Sequence, residues 1–174
     1  MDHRDHVRLL KKGIPKAGGI WADFGSGRGS FTLALAELLG PTATIYSVDR
    51  DGRALRQQDK QVRNQFPEIS IHYLQADFTK PVNIPFLDGL VVANALHFLR
   101  EKEKTIKLLK GYLKPSGQFL VVEYNRDRGN RWVPFPFTYQ TWTKFSGQAG
   151  FEHTQLLETV PSSFMGEIYA AVSW

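Results

Sequence analysis

Residues 19–39 read GIWADFGSGRGSFTLALAELL. The apolar residues Ile20, Trp21, Ala22 and Phe24 run into Asp23-Phe24-Gly25-Ser26-Gly27-Arg28-Gly29. Phe31, Ala34, Leu35 and Leu38 then recur at helical spacing. The pattern predicts a buried strand, a glycine turn and a helix that opens at the turn. Glycines there tolerate positive φ and let a ligand reach the main chain without meeting a Cβ. The uncapped N–H groups and positive dipole end of the following helix favour an anionic or acceptor-rich ligand group. A nucleotide-containing cofactor satisfies both conditions.

The spacing separates two cofactor types. A dinucleotide turn wants G-x-G-x-x-G, its third glycine allowing close helix packing beside a pyrophosphate. Here the spacing is G-x-G-x-G, and Ser30 holds the position of that third glycine. Asp23, two residues before Gly25, would repel a pyrophosphate, whereas a carboxylate suits a cofactor carrying an ammonium group.

Working outward, Gly40-Pro41 ends the helix. Thr44–Asp49 is a second strand that finishes on an acid twenty residues beyond Gly29. An acid at about that distance meets ribose hydroxyls, since a carboxylate accepts two hydroxyl hydrogen bonds. Asp49-Arg50-Asp51 also reads as a helix N-cap. A helix over 51–66 is apolar through Leu55, Val62 and Phe66. Ile69, Ile71, Tyr73 and Gln75 alternate as a half-buried third strand near a sheet edge. Asp77 after it is either a turn anchor or a ligand contact.

Phe86–Gly89 reads as a turn into the apolar strand Leu90–Asn94, followed by a helix over about 100–113. Lys114–Gly117 reads as a second turn, and Gln118–Tyr124 as a fifth strand. Strand and helix therefore alternate through residue 124, the pattern of a parallel sheet with right-handed crossovers. Residues 126–138 bring three arginines and then Trp132, Phe135 and Phe137 between prolines. A helix over 139–149 and a hairpin of 151–160 with 167–174, turning at 161–166, close the chain. At the other end, residues 3–12 form a short amphipathic helix with Val7, Leu9 and Leu10 inward.

The bulk numbers set bounds. A chain of 174 residues, 42% hydrophobic and 13% aromatic, suits one globular domain. It contains no apolar stretch of membrane-spanning length. A charged N-terminus, MDHRDHVRLLKK, is unlike a signal peptide, so a cytoplasmic protein is expected. Without cysteine there is no disulfide, zinc–thiolate site or cysteine nucleophile. His3 and His6 each follow an aspartate, but no further ligand cluster joins them and no metal site is expected. The net charge of +5 leaves nucleic acid open as a partner. Lys102, Lys104, Lys107, Lys110 and Lys114 read as a solvated helix face.

DFGSGRG (23–29), SVD (47–49), QADF (75–78), PFLDGLVVANALHF (85–98) and YLKPSGQFLVVEYN (112–125) occur in that order, and the chain ends in a hairpin. In this it resembles the class I S-adenosylmethionine (SAM)-dependent methyltransferases. Its flavour is that of the small-molecule group that includes the ubiquinone/menaquinone-type enzymes. The resemblance implies an α/β, three-layer αβα sandwich over residues 1–174. Its seven-stranded, mostly parallel sheet would have order 3-2-1-4-5-7-6, with strand 7 antiparallel. It implies transfer of a methyl group from SAM to a small molecule by in-line displacement, leaving S-adenosylhomocysteine (SAH). Cofactor contacts would come from Asp23, Gly25, Ser26, Gly27, Gly29, Asp49, Arg50, Asp77, Phe78 and Asn94. Asp77 would bind the adenine amino group and Phe78 would lie against the ring.

A base is needed only where the acceptor must lose a proton. His97 is the first candidate, against a reading in which it orders a loop or packs on Phe98; Glu123 and Tyr124 come second. Acceptor walls would come from Tyr124, Arg126, Trp132, Phe135, Phe137, Phe164 and Met165, suited to an aromatic, lipidic or anionic molecule. The aromatics also read as core beneath a long loop. Residues 1–18 are expected to form an N-terminal cap segment, with 1–12 closing over the cofactor. Asn94-Ala95-Leu96-His97 departs from the Asn/Asp-Pro-Pro-aromatic motif of enzymes acting on adenine or glutamine nitrogen. RNA or protein methylation, a non-catalytic SAM- or SAH-binding domain and, more distantly, an NAD-dependent oxidoreductase are the competing readings. The oligomeric state stays open.

Overall fold

In the computed structural model, which describes residues 1–174, the strand before the glycine turn sits at the centre of a sheet. This strand, β1 (Gly19–Phe24), is flanked by β2 (Ala43–Asp49) and β4 (Leu87–Ala93), both parallel to it. Outward lie β3 (Ser70–Gln75) on one side and β5 (Leu113–Tyr124), β7 (Gly166–Ser173) and β6 (Thr154–Ser162) on the other. The order is 3-2-1-4-5-7-6, and β7 runs antiparallel to both its neighbours. Strand order reverses between β1 and β4. Their carboxyl ends therefore diverge there and leave a crevice, where open α/β sheets bind ligands.

Side chains alternate between the two faces, as the period of a strand requires. Trp21, Ile45, Val91, Leu120 and Val172 point to one core, which α1 (His3–Lys11) and α2 (Ser30–Leu39) cover with Leu9, Leu10, Phe31, Leu35 and Leu39. Phe66, at the end of α3 (Gly52–Gln65), packs against the same core. Ala22, Val92, Phe119 and Ala171 point the other way, under α4 (Glu103–Lys110) and α5 (Tyr139–Gln148), with Trp142 fully buried. The result is three layers with two cores.

Several boundaries differ from the pattern reading, among them the closing hairpin, where Pro161 and Ser162 are paired strand residues and not turn. β4 starts at Leu87 and β5 at Leu113, where Phe86–Gly89 and Lys114–Gly117 read as turns. The two strands pair at Leu87↔Leu113 before the register shifts. Burial decides this: Leu87 is fully buried and its N–H donates to Tyr112 C=O at 2.8 Å. The turn-like Asp88 is a strand residue whose carboxylate accepts from Ile20 N–H and Lys114 Nζ, each at 2.8 Å. α4 is shorter than expected because a 3-10 turn, Leu96–Phe98, precedes it and Leu113 joins the sheet. Lys102, read as solvated, is 4% exposed, its ammonium 5.2 Å from the ring centre of Phe137.

Candidate cofactor and acceptor site

After β1 the chain passes through Gly25, Gly27 and Gly29, all at positive φ (75°, 54° and 86°). Gly25 must be glycine for a second reason: a Cβ there would lie 2.6 Å from the Ala95 Cβ. At Gly27 a Cβ would meet nothing, so the main chain is open to the cavity. The turn is tied to β2, with Gly25 N–H and Ser26 N–H donating to Val48 C=O. Gly27 N–H donates to Asp49 Oδ2 at 2.8 Å. Asp49 Oδ1 accepts from Asp51 N–H at 2.8 Å, which leaves a lone pair on each oxygen.

Beneath the turn lies a buried polar chain. Thr32 Oγ1 donates to Asp23 Oδ2 (2.7 Å) and accepts from Gln58 Nε2 (3.1 Å). Ser47 Oγ lies 2.6 Å from Gln58 Oε1 and 2.8 Å from Ser26 Oγ. Asp23, Thr32, Ser47 and Gln58 are each at most 1% exposed. Burial pushes the Asp23 carboxyl up to about 7, opposed by the Thr32 hydroxyl. Expected to meet a cofactor ammonium, Asp23 lies instead beneath the turn, off the cavity surface. Gln58 was not singled out in the sequence, although it interrupts the apolar face of α3 between Leu55 and Val62. Its side chain occupies the space a Cβ on Gly29 would need.

A cavity of about 500 Å³ opens at the crevice, lined by Gly25, Gly27, Asp49, Arg50, Ala76, Asp77, Phe78, Thr79, Asn94, Ala95, Phe98 and Leu99. Of the ten expected cofactor residues, seven line it. Ser26, Gly29 and Asp23 support it from behind. Asp77 Oδ1 accepts from Thr79 Oγ1 (2.7 Å) and Thr79 N–H (3.0 Å), and these bonds hold its carboxyl below the usual range. Asn94 stands apart. It is the only non-glycine residue at positive φ (50°), and its Oδ1 is buried without a donor. An orphaned buried acceptor costs about 1–3 kcal/mol, and the residue that carries it contributes to the cavity wall.

The side expected to face an acceptor is less closed. Phe98 (60% exposed), Trp132 (70%), Phe135 and Phe164 present their rings to solvent at the carboxyl edge. Tyr124 is half-buried and meets Phe164 edge-on at 6.1 Å. Arg126 is exposed, and the Arg131 guanidinium lies 5.9 Å from the Trp132 ring centre. Phe137 and Met165 are corrections: both are buried, Phe137 in the core against Trp142 and Phe145. Pro136 and Phe137 turn inward to close the layer under α5, which only the packing reveals.

His97 is 3% exposed, off the cavity surface, with Nδ1 at 2.9 and 3.0 Å from the Glu123 oxygens and its ring packed on Phe98. Segment 1–18 contributes α1, which packs on α2 and β6, and none of its residues lines the cavity. His3 Nε2 meets Glu37 Oε2 at 2.7 Å, and His6 packs on Phe31. No helix is long and apolar enough to cross a membrane.

A doubly wound sheet with a glycine turn and acidic strand ends at its switch point defines a nucleotide-cofactor site. The profile of a family described as "Methyltransferase domain" matches residues 16–158. The chain belongs to that family. It is 29% identical over 105 residues to the ubiquinone/menaquinone biosynthesis C-methyltransferase UbiE of Wigglesworthia glossinidia brevipalpis, covering 60% of this chain and 42% of the relative. It thus spans less than half the length of the curated relatives it matches. Two solved structures share the fold. A SAM-dependent methyltransferase from Aquifex aeolicus has TM-score 0.74 and 20% identity, over 97% of this chain and 88% of that one. The N-methyltransferase NodS from Bradyrhizobium japonicum, in complex with SAH, has TM-score 0.75 and 18% identity, over 98% and 85%.

Proposed function

We propose that this chain binds SAM in the cavity at Gly25 and Asn94 and transfers its methyl group to a small molecule. The observation that carries the reading is the glycine main chain open to the cavity at Gly27, with Asp49, Asp77 and Asn94 lining the same cavity. There the backbone can be approached closely by the polar amino-acid part of the cofactor. Asp49 has lone pairs left for two ribose hydroxyls, Asp77 Oδ2 for the adenine amino group, and Phe78 offers an apolar wall to the base. When bound, SAM supplies a methyl group on a cationic sulfur, so the protein's work is chiefly to position the acceptor in line and exclude water.

The aromatic rim of Phe98, Trp132, Phe135 and Phe164, with Arg126 and Arg131 at its border, suits a flat apolar acceptor bearing a negative group. The UbiE relatives, named for ubiquinone/menaquinone biosynthesis, make a quinone-like ring a reasonable first acceptor to assay.

Calorimetric titration with SAM, SAH and NAD in parallel tests the cofactor reading. Binding of SAM and SAH without NAD is expected. Binding of NAD alone, or of none of the three, would overturn it.

A further inference from the structure

The most deeply buried acid in the molecule lies outside the cavity. Glu123, fully buried at the end of β5, receives His97 Nδ1 on both oxygens, and its Oε1 also accepts Tyr124 N–H at 2.8 Å. The buried Lys102 ammonium adds attraction to the same carboxylate. A buried carboxylate persists only when paired this way, so the His97–Glu123 contact is a fixed point of the fold.

His97 is also joined at its main chain: its carbonyl accepts Phe135 N–H at 3.0 Å, from the middle of loop 126–138. Asn94, Ala95, Phe98 and Leu99, on either side of it in sequence, line the cavity. One residue therefore ties the cavity wall, the end of β5 and the acceptor-side loop together. A general base must reach the proton it removes. The imidazole has Nδ1 committed to Glu123 and almost no exposed surface.

We propose that His97 is a positioning residue, not the base: it locks the β4 exit to loop 126–138, so that the cofactor wall and the acceptor loop move as one body. Breaking the lock frees the loop without unfolding the domain. Ligand occupancy at Asn94 and Phe98 then no longer quiets the loop. This last consequence rests on the SAM/SAH reading of the cavity; the lock itself does not.

Trypsin reads the loop directly, because Arg126, Arg128 and Arg131 are exposed within it, and Lys16, in the segment before β1, is an internal control. Cleavage of the full chain is mapped by mass spectrometry in wild type, His97→Ala, His97→Asn and Phe135→Pro. Asparagine places an amide N–H near the position of Nδ1 and restores the donor to Glu123. Proline removes the N–H that reaches His97 and leaves the buried pair intact, so it serves even where His97→Ala folds poorly. In His97→Ala and Phe135→Pro, cleavage at the three arginines should rise about tenfold or more while Lys16 stays at the wild-type rate; this is the factor expected for a local opening that becomes about 1.4 kcal/mol easier. His97→Asn should stay near wild type. SAH should slow loop cleavage in wild type and His97→Asn but not in His97→Ala.

Wild-type loop cleavage in both His97→Ala and Phe135→Pro would overturn the lock, as would Lys16 cleavage rising in step with the arginines. So would His97→Asn behaving like His97→Ala. Failure of SAH to bind wild type sinks the cofactor reading instead, and the unliganded digests still decide the lock.

Discussion

The two halves of the crevice are built on opposite principles. On the cofactor side, between β1 and β3, the glycine turn rests on a buried chain of hydrogen bonds from Asp23 through Thr32, Gln58 and Ser47 to Ser26. On the side proposed for the acceptor, Trp132, Phe135 and Phe164 stand in solvent on a loop and a hairpin turn. A satisfied buried polar network permits few alternative arrangements, whereas exposed rings repack at little cost. The first half is therefore preorganised for one ligand. The second is adaptable, and the variation in substrate that a shared fold allows belongs there.

The comparison breaks most readily at Gly25. Gly25→Ala adds a Cβ at φ 75°, where it meets Ala95 at 2.6 Å. Backbone strain of roughly 1–3 kcal/mol, plus displacement of the cavity wall at Ala95, should lower SAM affinity by about a hundredfold or more. Calorimetry measures this. Affinity within a few-fold of wild type would show that the turn does not cradle the cofactor.

Asp49→Ala should come next. Loss of hydrogen bonds from ribose to a charged acceptor costs roughly 1–3 kcal/mol, about 5- to 150-fold in SAM dissociation constant. Asp49 also holds Gly27 N–H and Asp51 N–H; Asp49→Asn keeps one of these two acceptors and turns an amide N–H toward the other donor, so it retains part of the turn's support while losing the charge. The ribose role predicts intermediate affinity for Asn, and a wild-type value for both variants would remove it.

The same contrast decides what the sequence made legible. The glycine turn and the strand ends that carry Asp49 and Asp77 could be read because backbone conformation restricts residue type locally; what the two acids bind is a proposal. The sheet order followed from the family resemblance and is the one observed. Long-range packing was not legible. Lys102 looks like its neighbours in the lysine series and is buried only because Phe137 and Phe145 come over it from α5 and the loop before it. Asp88 has the composition of a turn, yet the β1 and β5 groups it bonds make it a strand residue. Gln58 left a trace, a polar residue on an apolar face, whose meaning required Ser47 and Thr32 to be placed beside it.

Asp23 sharpens the comparison through pH. Its folded-state value of about 7 lies above the ordinary aspartate value, so the folded chain holds a proton that the unfolded chain releases from about pH 4 upward. This contribution is complete below about pH 4, falls as pH rises to about 7 and is then fully lost, destabilising by roughly 2–4 kcal/mol overall. Asp23→Asn should be more stable than wild type above pH 7 and flatten that slope. Denaturant titrations at pH 5 and pH 8 measure it; equal slopes in the two proteins would mean Asp23 is ionised when folded.

The smallest effect should come from the other half. Trp132 is 70% exposed, with the Arg131 guanidinium 5.9 Å from its ring centre, so Trp132→Ala removes little buried surface. Stability should stay within about 0.5 kcal/mol and SAM affinity within about twofold, as for substitutions away from packed or bonded groups. Any acceptor that uses the aromatic rim should still lose affinity or turnover, on the scale of roughly 1–3 kcal/mol for an apolar contact. A Trp132→Ala protein with weaker SAM binding would join the rim to the cofactor half. One with unchanged turnover on every acceptor that wild type methylates would place the acceptor elsewhere on the carboxyl edge, with the loop as its cover and not its wall.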